Sequence, residues 1–185
     1  MPIYLTSLRC TTELLFAACY DLPVTHSGTF LACCHAEAAF DLLSTPDRFA
    51  PLLPDYESME QQDATHFTMR TVLAIGQIHG HINLTMELRE ASRPYRVGYR
   101  GQGIIAGGTL SFELDFRIAP VNRKTEIQWC GEVRLNGPLV FMAGDLVDTM
   151  SRQNFERMAE SLRRSLEALS PSASAEGPTL PDFEI

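Results

Sequence analysis

About five strand-like stretches run through residues 67–135 with no helical period between them, and one long amphipathic stretch follows. Successive strands without helical crossovers pair antiparallel. The order therefore confines the chain to a curved antiparallel sheet gripping one long helix. Residues 109–118 show the face of that sheet most cleanly. Leu110, Phe112, Leu114, Phe116 and Ile118 alternate with Ser111, Glu113, Asp115 and Arg117, the two-residue period of a strand with one wet face. The dry face is bulky and carries no titratable group. A sheet of this kind, covered by a single helix, tends to enclose a pocket for an apolar molecule, so function is read from the lining.

At 185 residues the chain is long enough for one well-buried core and too short to imply two. Its net charge of −8 and pI near 5.1 oppose the phosphate backbone of nucleic acids and anionic lipid surfaces. Nucleic acid is not an expected partner. No run approaches the roughly 20 apolar residues of a spanning helix, so membrane contact is expected to be peripheral or through a partner. Cys10, Cys19, Cys33, Cys34 and Cys130 are odd in number and lack CxxC spacing, which points away from a disulfide framework or zinc site and towards a reducing cytoplasm.

Residues 14–20 resemble a short signal-peptide core after Arg9, but Glu13 interrupts it and one basic residue alone precedes it. The expectation is instead an N-terminal extension over residues 1–23, with an extra strand or arm. A single domain is expected over residues 24–169. Residues 170–185, rich in Pro, Ser, Ala and Gly, read as a disordered tail.

Within the domain, residues 24–34 read as a first strand and residues 36–43 as a short helix ending at the Ser44-Thr45-Pro46 turn. A second short helix begins near Pro46 and is stopped by Pro54. Phe67, Met69, Thr71 and Leu73 share one strand face, as do Ile82, Leu84, Met86 and Leu88 after the turn around Gly76-Gln77. Tyr95, Val97 and Tyr99 continue the inward set. Gly101, Gly103, Gly107 and Gly108 are expected to flank the connection into the next strand, and Ile127, Trp129, Gly131, Val133 and Leu135 finish the sheet. This glycine cluster joins strand to strand, so it is not a phosphate loop.

The final helix is expected over residues 138–169, with an apolar ladder of Met142, Leu146, Met150, Met158, Leu162 and Leu166 at i+4 steps. Each step drifts about 40° around the helix, so the ladder must follow a twisted surface. Asn154 occupies the missing rung. Its amide is either a water-bonded group at the rim or a hydrogen-bond donor to a ligand headgroup.

The segment Thr45-Pro46-Asp47-Arg48-Phe49-Ala50-Pro51-Leu52-Leu53-Pro54-Asp55-Tyr56-Glu57-Ser58 resembles the "DPERL…LPGCES" region of the carbon monoxide dehydrogenase G-subunit family, a branch of the START-like (SRPBCC) superfamily. Residues 76–90, residues 99–114 with Gly107-Gly108-Thr109, and Gly144-Asp145-Leu146-Val147-Asp148 agree with that family in order and spacing. Asp55-Tyr56 stands where Gly-Cys is common there. The resemblance implies an α+β helix-grip fold: a curved seven-stranded antiparallel sheet, two short helices after the first strand and a long C-terminal helix. It also implies a cavity for hydrophobic small molecules and an accessory or membrane-recruitment role beside a carbon monoxide dehydrogenase-like oxidoreductase, with a quinone or lipid as ligand. On that basis the location would be cytoplasmic, peripheral at the inner membrane face. Members of that family are not the catalytic subunits, so no molybdenum ligand is carried over.

The inward positions contain no Asp/Glu pair, no Ser-His-Asp or Cys-His constellation and no evident general base, so no catalytic residue is assigned. His79 and His81 could share a strand face but alternate with Ile78, Gly80 and Ile82, which sets them towards water, and no third ligand is visible. No metal or cofactor is assigned. Cys33 and Cys34 read as one exposed thiol and one small core residue. Asn83-Leu84-Thr85 is a glycosylation sequon in form, lying in a strand. The expected ligand contacts are Met69, Leu84, Met86, Tyr99, Phe112, Phe116, Trp129, Met142, Leu146, Met150 and Asn154. The methionines would give a pliable wall, and the tyrosine hydroxyls or the Trp129 indole a polar anchor. Two functions remain in view: a noncatalytic lipid- or quinone-binding module, and a small cyclase or hydratase-like enzyme acting on an aromatic or polyketide substrate. The sequence leaves the oligomeric state open.

Overall fold

The computed structural model describes the backbone of residues 22–75, 78–105, 108–137 and 140–169, and the side chains of these except at 22, 74, 75, 78 and 140–145. The N-terminal extension before residue 22 and the tail from residue 170 lie outside the described residues. Seven strands form one antiparallel sheet: β1 (Leu22–Ala32), β2 (Tyr56–Gln61), β3 (His66–Ile75), β4 (Ile78–Ser92), β5 (Arg96–Ile105), β6 (Gly108–Val121) and β7 (Lys124–Asn136), in the order β1-β7-β6-β5-β4-β3-β2. Two short helices, α1 (Ala36–Ser44) and α2 (Pro46–Phe49), carry the chain from one sheet edge to the other, and α3 (Val140–Ala168) covers the concave face.

The alternation read from the sequence sets the concave face. Phe67, Met69 and Thr71 on β3, Ile82, Leu84 and Met86 on β4, and Leu114, Phe116 and Ile118 on β6 are all buried. Tyr95 departs from the expectation. It is 58% exposed in the turn between β4 and β5, where its backbone N–H donates to the Ser92 carbonyl, and the inward phase begins only at Val97. β2 was not legible as a strand, because Tyr-Glu-Ser-Met-Glu-Gln at a sheet edge has no apolar alternation. The glycine cluster also needs correction. Gly101 and Gly103 lie inside β5 on its concave face rather than in a connection. A Cβ at Gly101 would overlap the Phe112 ring and come within 2.7 Å of Met86 Sδ. The missing side chain is what lets a neighbouring strand lay its aromatic ring across β5.

One end of the concave face is filled by the two short helices. Phe49 of α2 stacks on Tyr99 with ring centroids 4.4 Å apart, and meets Phe116 edge-on at 5.8 Å. The Tyr99 hydroxyl donates to the Leu43 carbonyl at 2.7 Å, tying β5 to the end of α1. Thr125 Oγ1 donates to the Cys34 carbonyl at 2.6 Å, fixing the exit from β1. Cys34 is buried and Cys33 exposed. Among the described residues the other end of the sheet has no such plug.

The Gly101–Phe112 contact gives a direct test. Gly101→Val should lower stability by about 1–3 kcal/mol through overpacking. Phe112→Ala in the same chain should recover part of that loss, as measured by urea denaturation of both single variants and the pair. Independent, additive effects would show that the ring does not occupy the space above Gly101.

Candidate functional site

The unplugged half of the concave face holds a cavity of about 140 Å³. Its sheet wall comes from β3, β4, β6 and β7, including Met69, Leu84, Phe112 and Val133. β5 adds no lining side chain there, since it places Gly101 and Gly103 on this face, and Phe112 and Leu84 lean over the two glycines. The opposite wall is α3, with Val147, Met150, Ser151, Asn154, Phe155 and Met158. Leu53, Pro54 and Asp55, from the turn after α2, close one side.

The helix wall follows from rotation arithmetic. Met158, Leu162 and Leu166 keep the expected ladder and are fully buried. Traced backwards in i−4 steps, the ladder turns away: Leu146, twelve residues before Met158, lies about 120° around the helix, whereas Val147 lies only about 20° from it. Leu146 is accordingly 44% exposed, and Val147 takes the inward position. A mixed step of three and four through Val147, Ser151, Phe155 and Met158 would have found this seam. At residue 142 the side chain lies outside the described set, so the expected Met142 contact has no geometry to compare.

Of the other expected contacts, Met69, Leu84, Phe112, Met150 and Asn154 line the cavity. Met86, Tyr99 and Phe116 do not: Tyr99 and Phe116 are sealed in the aromatic core around Phe49, and Met86 is fully buried beside Gly101. Burial pushes the Tyr99 hydroxyl well above its ordinary pKa, so it stays protonated, and its hydrogen is committed to Leu43. Trp129 is set apart from the cavity lining. Its ring fits against Gly28, where a Cβ would approach within 2.8 Å, and packs at 5.7 Å from Phe155. Phe155 in turn lies over Gly131 and 6.0 Å from the His26 ring. In the same region the side chains of β1 and α3 approach, with His26 Nε2 3.3 Å from Asp148 Oδ1.

Polar groups gather at one side of the cavity. Asp55 has the left-handed backbone value φ 56°, which turns its carboxylate towards α3. Arg157 Nη1 and Nη2 donate to its two oxygens at 3.0 and 2.8 Å, a bidentate pair. The same Nη1 lies 3.4 Å from Asn154 Oδ1. The Asp55 hydrogen bond raises the Arg157 pKa further above its ordinary value. Thr71 Oγ1 donates to the Asp55 carbonyl at 2.8 Å and so braces the turn against β3. Among the lining residues Asp55 is the one carboxylate, and both its oxygens are engaged.

The exposed histidines stand elsewhere. His81 Nδ1 contacts Glu57 Oε2 at 2.9 Å on the outer face of the sheet, and His79 is exposed. Among the described residues no group of three His, Cys, Asp or Glu side chains is placed to hold a metal ion. Nor is any described helix long and apolar enough to cross a membrane.

A curved seven-stranded antiparallel sheet, plugged at one end by two short helices and covered by a long C-terminal helix over an apolar cavity, defines the START-like class. A START superfamily protein from Mycobacterium smegmatis shares this fold, with TM-score 0.58 at 15% identity over 78% of this chain and 98% of that one. A conserved protein from Geobacillus kaustophilus superposes with TM-score 0.68 at 12% identity, covering 78% of this chain and 96% of the other. Norcoclaurine synthase from Thalictrum flavum does so with TM-score 0.55 at 14% identity, covering 89% and 97%. No curated protein matches the sequence. Residues 28–167 match the carbon monoxide dehydrogenase G-subunit (CoxG) family, and the chain belongs to that family.

The separation of core from cavity predicts unequal costs at two positions. Tyr99→Phe should leave the Leu43 carbonyl without its donor and lower stability by about 1–3 kcal/mol. Met69→Val, on the cavity wall, should cost less. Paired chemical denaturation curves would decide, and an unaffected Tyr99→Phe protein would contradict the buried hydrogen bond.

Proposed function

We propose that the protein is a noncatalytic binding module for a hydrophobic small molecule, a quinone or lipid, acting as an accessory or recruitment factor for a carbon monoxide dehydrogenase-like oxidoreductase. The observation that carries this reading is the apolar cavity between sheet and α3, which occupies the place where a close-packed domain would have core. Its volume decides what enters. An engineered cavity of roughly 150 Å³ takes one benzene molecule, and ordinary small-molecule pockets run to about 300–1,000 Å³. A space of about 140 Å³ therefore admits one ring or a short length of chain, and the rest of a longer ligand extends past the partly exposed Met150 and Asn154.

The chemistry of the wall supports binding over turnover. A cyclase or hydratase needs a group that gives and takes a proton at the substrate, and Asp55, the carboxylate of the lining, is held by Arg157. The oxidoreductase partner and a peripheral location at the inner membrane face rest on family membership. Ligand extraction from the purified protein, followed by mass spectrometry, tests the reading: a co-purifying quinone or lipid is expected, and turnover of a polar aromatic substrate would displace it.

Met150→Trp separates lining from core. Trp adds volume where Met150 faces the cavity, so decyl-benzoquinone binding should be lost while the melting temperature shifts by no more than about 2–4 °C, the equivalent of roughly 1 kcal/mol for a chain of this size. A much larger fall in melting temperature, with no ligand bound by either protein, would make this part of α3 ordinary core.

A further inference from the structure

The cavity is apolar apart from its rim and two polar side chains on α3. Ser151 and Asn154 are three residues apart and so share one helix face, and both line the cavity. A guanidinium can only donate, so the Asn154 atom facing Arg157 Nη1 is the amide oxygen. That contact sets the rotation of the amide and leaves both Nδ2 hydrogens unused. Ser151 is 8% exposed, yet its hydroxyl makes no hydrogen bond back to its own helix, the usual resort of a helical serine, and its oxygen stays open to the cavity. Among the described residues neither Asn154 Nδ2 nor Ser151 Oγ has a hydrogen-bond partner. A buried hydroxyl without a partner, beside a half-buried amide whose hydrogens are unused, calls for an acceptor in the ligand.

The charge of that acceptor is set by the neighbouring ion pair. Arg157 is the cation in contact with Asn154, but its Nη1 and Nη2 are both given to Asp55. An anion entering the cavity would meet a neutralised guanidinium and an apolar wall, an environment that disfavours an unpaired charge. We infer that Ser151 and Asn154 form a recognition site for a neutral acceptor. The site favours apolar ligands ending in an uncharged carbonyl oxygen over carboxylates and phosphates, and the Asp55–Arg157 pair keeps anions out. This specificity presupposes the binding role proposed above and adds which chemical class of ligand fills it.

Three probes of matched chain length test the inference by isothermal titration calorimetry: decyl-benzoquinone, decylbenzene and decanoate. The wild-type protein should bind decyl-benzoquinone about tenfold more tightly than decylbenzene, the size of one good hydrogen bond, with decanoate the weakest. Replacing Ser151→Ala and Asn154→Ala together should bring decyl-benzoquinone down to the decylbenzene level and leave decylbenzene unchanged. Asp55→Asn, which keeps a residue at home in the left-handed conformation, should free the Arg157 charge and strengthen decanoate binding about tenfold. Should the helix variant fail to fold, the Asp55→Asn arm still decides. A quinone preference that survives the double substitution, or decanoate binding unmoved by Asp55→Asn, overturns the inference. Equal binding of decyl-benzoquinone and decylbenzene overturns it and leaves the binding module standing, whereas no binding of any probe removes both.

Discussion

The stack of Phe49 on Tyr99, locked by the Tyr99 hydroxyl on the Leu43 carbonyl, is the constraint from which the rest of the molecule follows. A seven-stranded sheet curled around one helix encloses more space than the helix can fill. Here the two short helices reach across from β1 to β2 and push aromatic rings into one end of that space. The hydrogen bond fixes how far they reach. Because burial raises the pKa of the tyrosine, the donor is retained beyond the pH at which an exposed tyrosine ionises. The cavity is what remains beyond the plug, so its size and position are set by residues that never touch it.

This division explains how much was legible in the sequence. Alternation told which face each strand residue occupies, and the inward sets on β3, β4, β6 and β7 are as expected. It says nothing of position along the strand. Phe112 and Phe116 share β6 and one face, about 13 Å apart at the rise of an extended chain, yet one walls the cavity and the other sits in the aromatic core. Only the docking of α1 and α2 separates them, and that depends on contacts between distant segments. On α3 the four-residue ladder holds through Leu162 and Leu166 and fails at Leu146, because a fixed step accumulates rotation that a mixed step cancels. β2 escaped notice for a different reason: at a sheet edge its side chains need not be apolar.

Glycine acts here by making room rather than by turning the chain. Gly101, Gly131 and Gly28 each lie on the concave face, and each receives an aromatic ring, from Phe112, Phe155 and Trp129 respectively. Two of those rings belong to neighbouring strands and one to α3, so sheet and helix approach through the same device. The Phe155 ring, seated over Gly131 and lining the cavity, is thus both a fastening of the helix and part of the wall. A ligand that displaced it would loosen the helix from the sheet beneath.

The far edge of the sheet has a bearing on behaviour in concentrated solution. A free strand edge offers unpaired backbone groups to any other chain and invites sheet-to-sheet aggregation. β2 is the shortest strand, its register with β3 shifts between Tyr56 and Ser58, and Glu57 and Glu60 stand along it. An irregular, acidic edge is a poor template for a second strand. Along β2 the sheet therefore ends in a border that resists pairing with another chain, beside a concave face that holds a cavity.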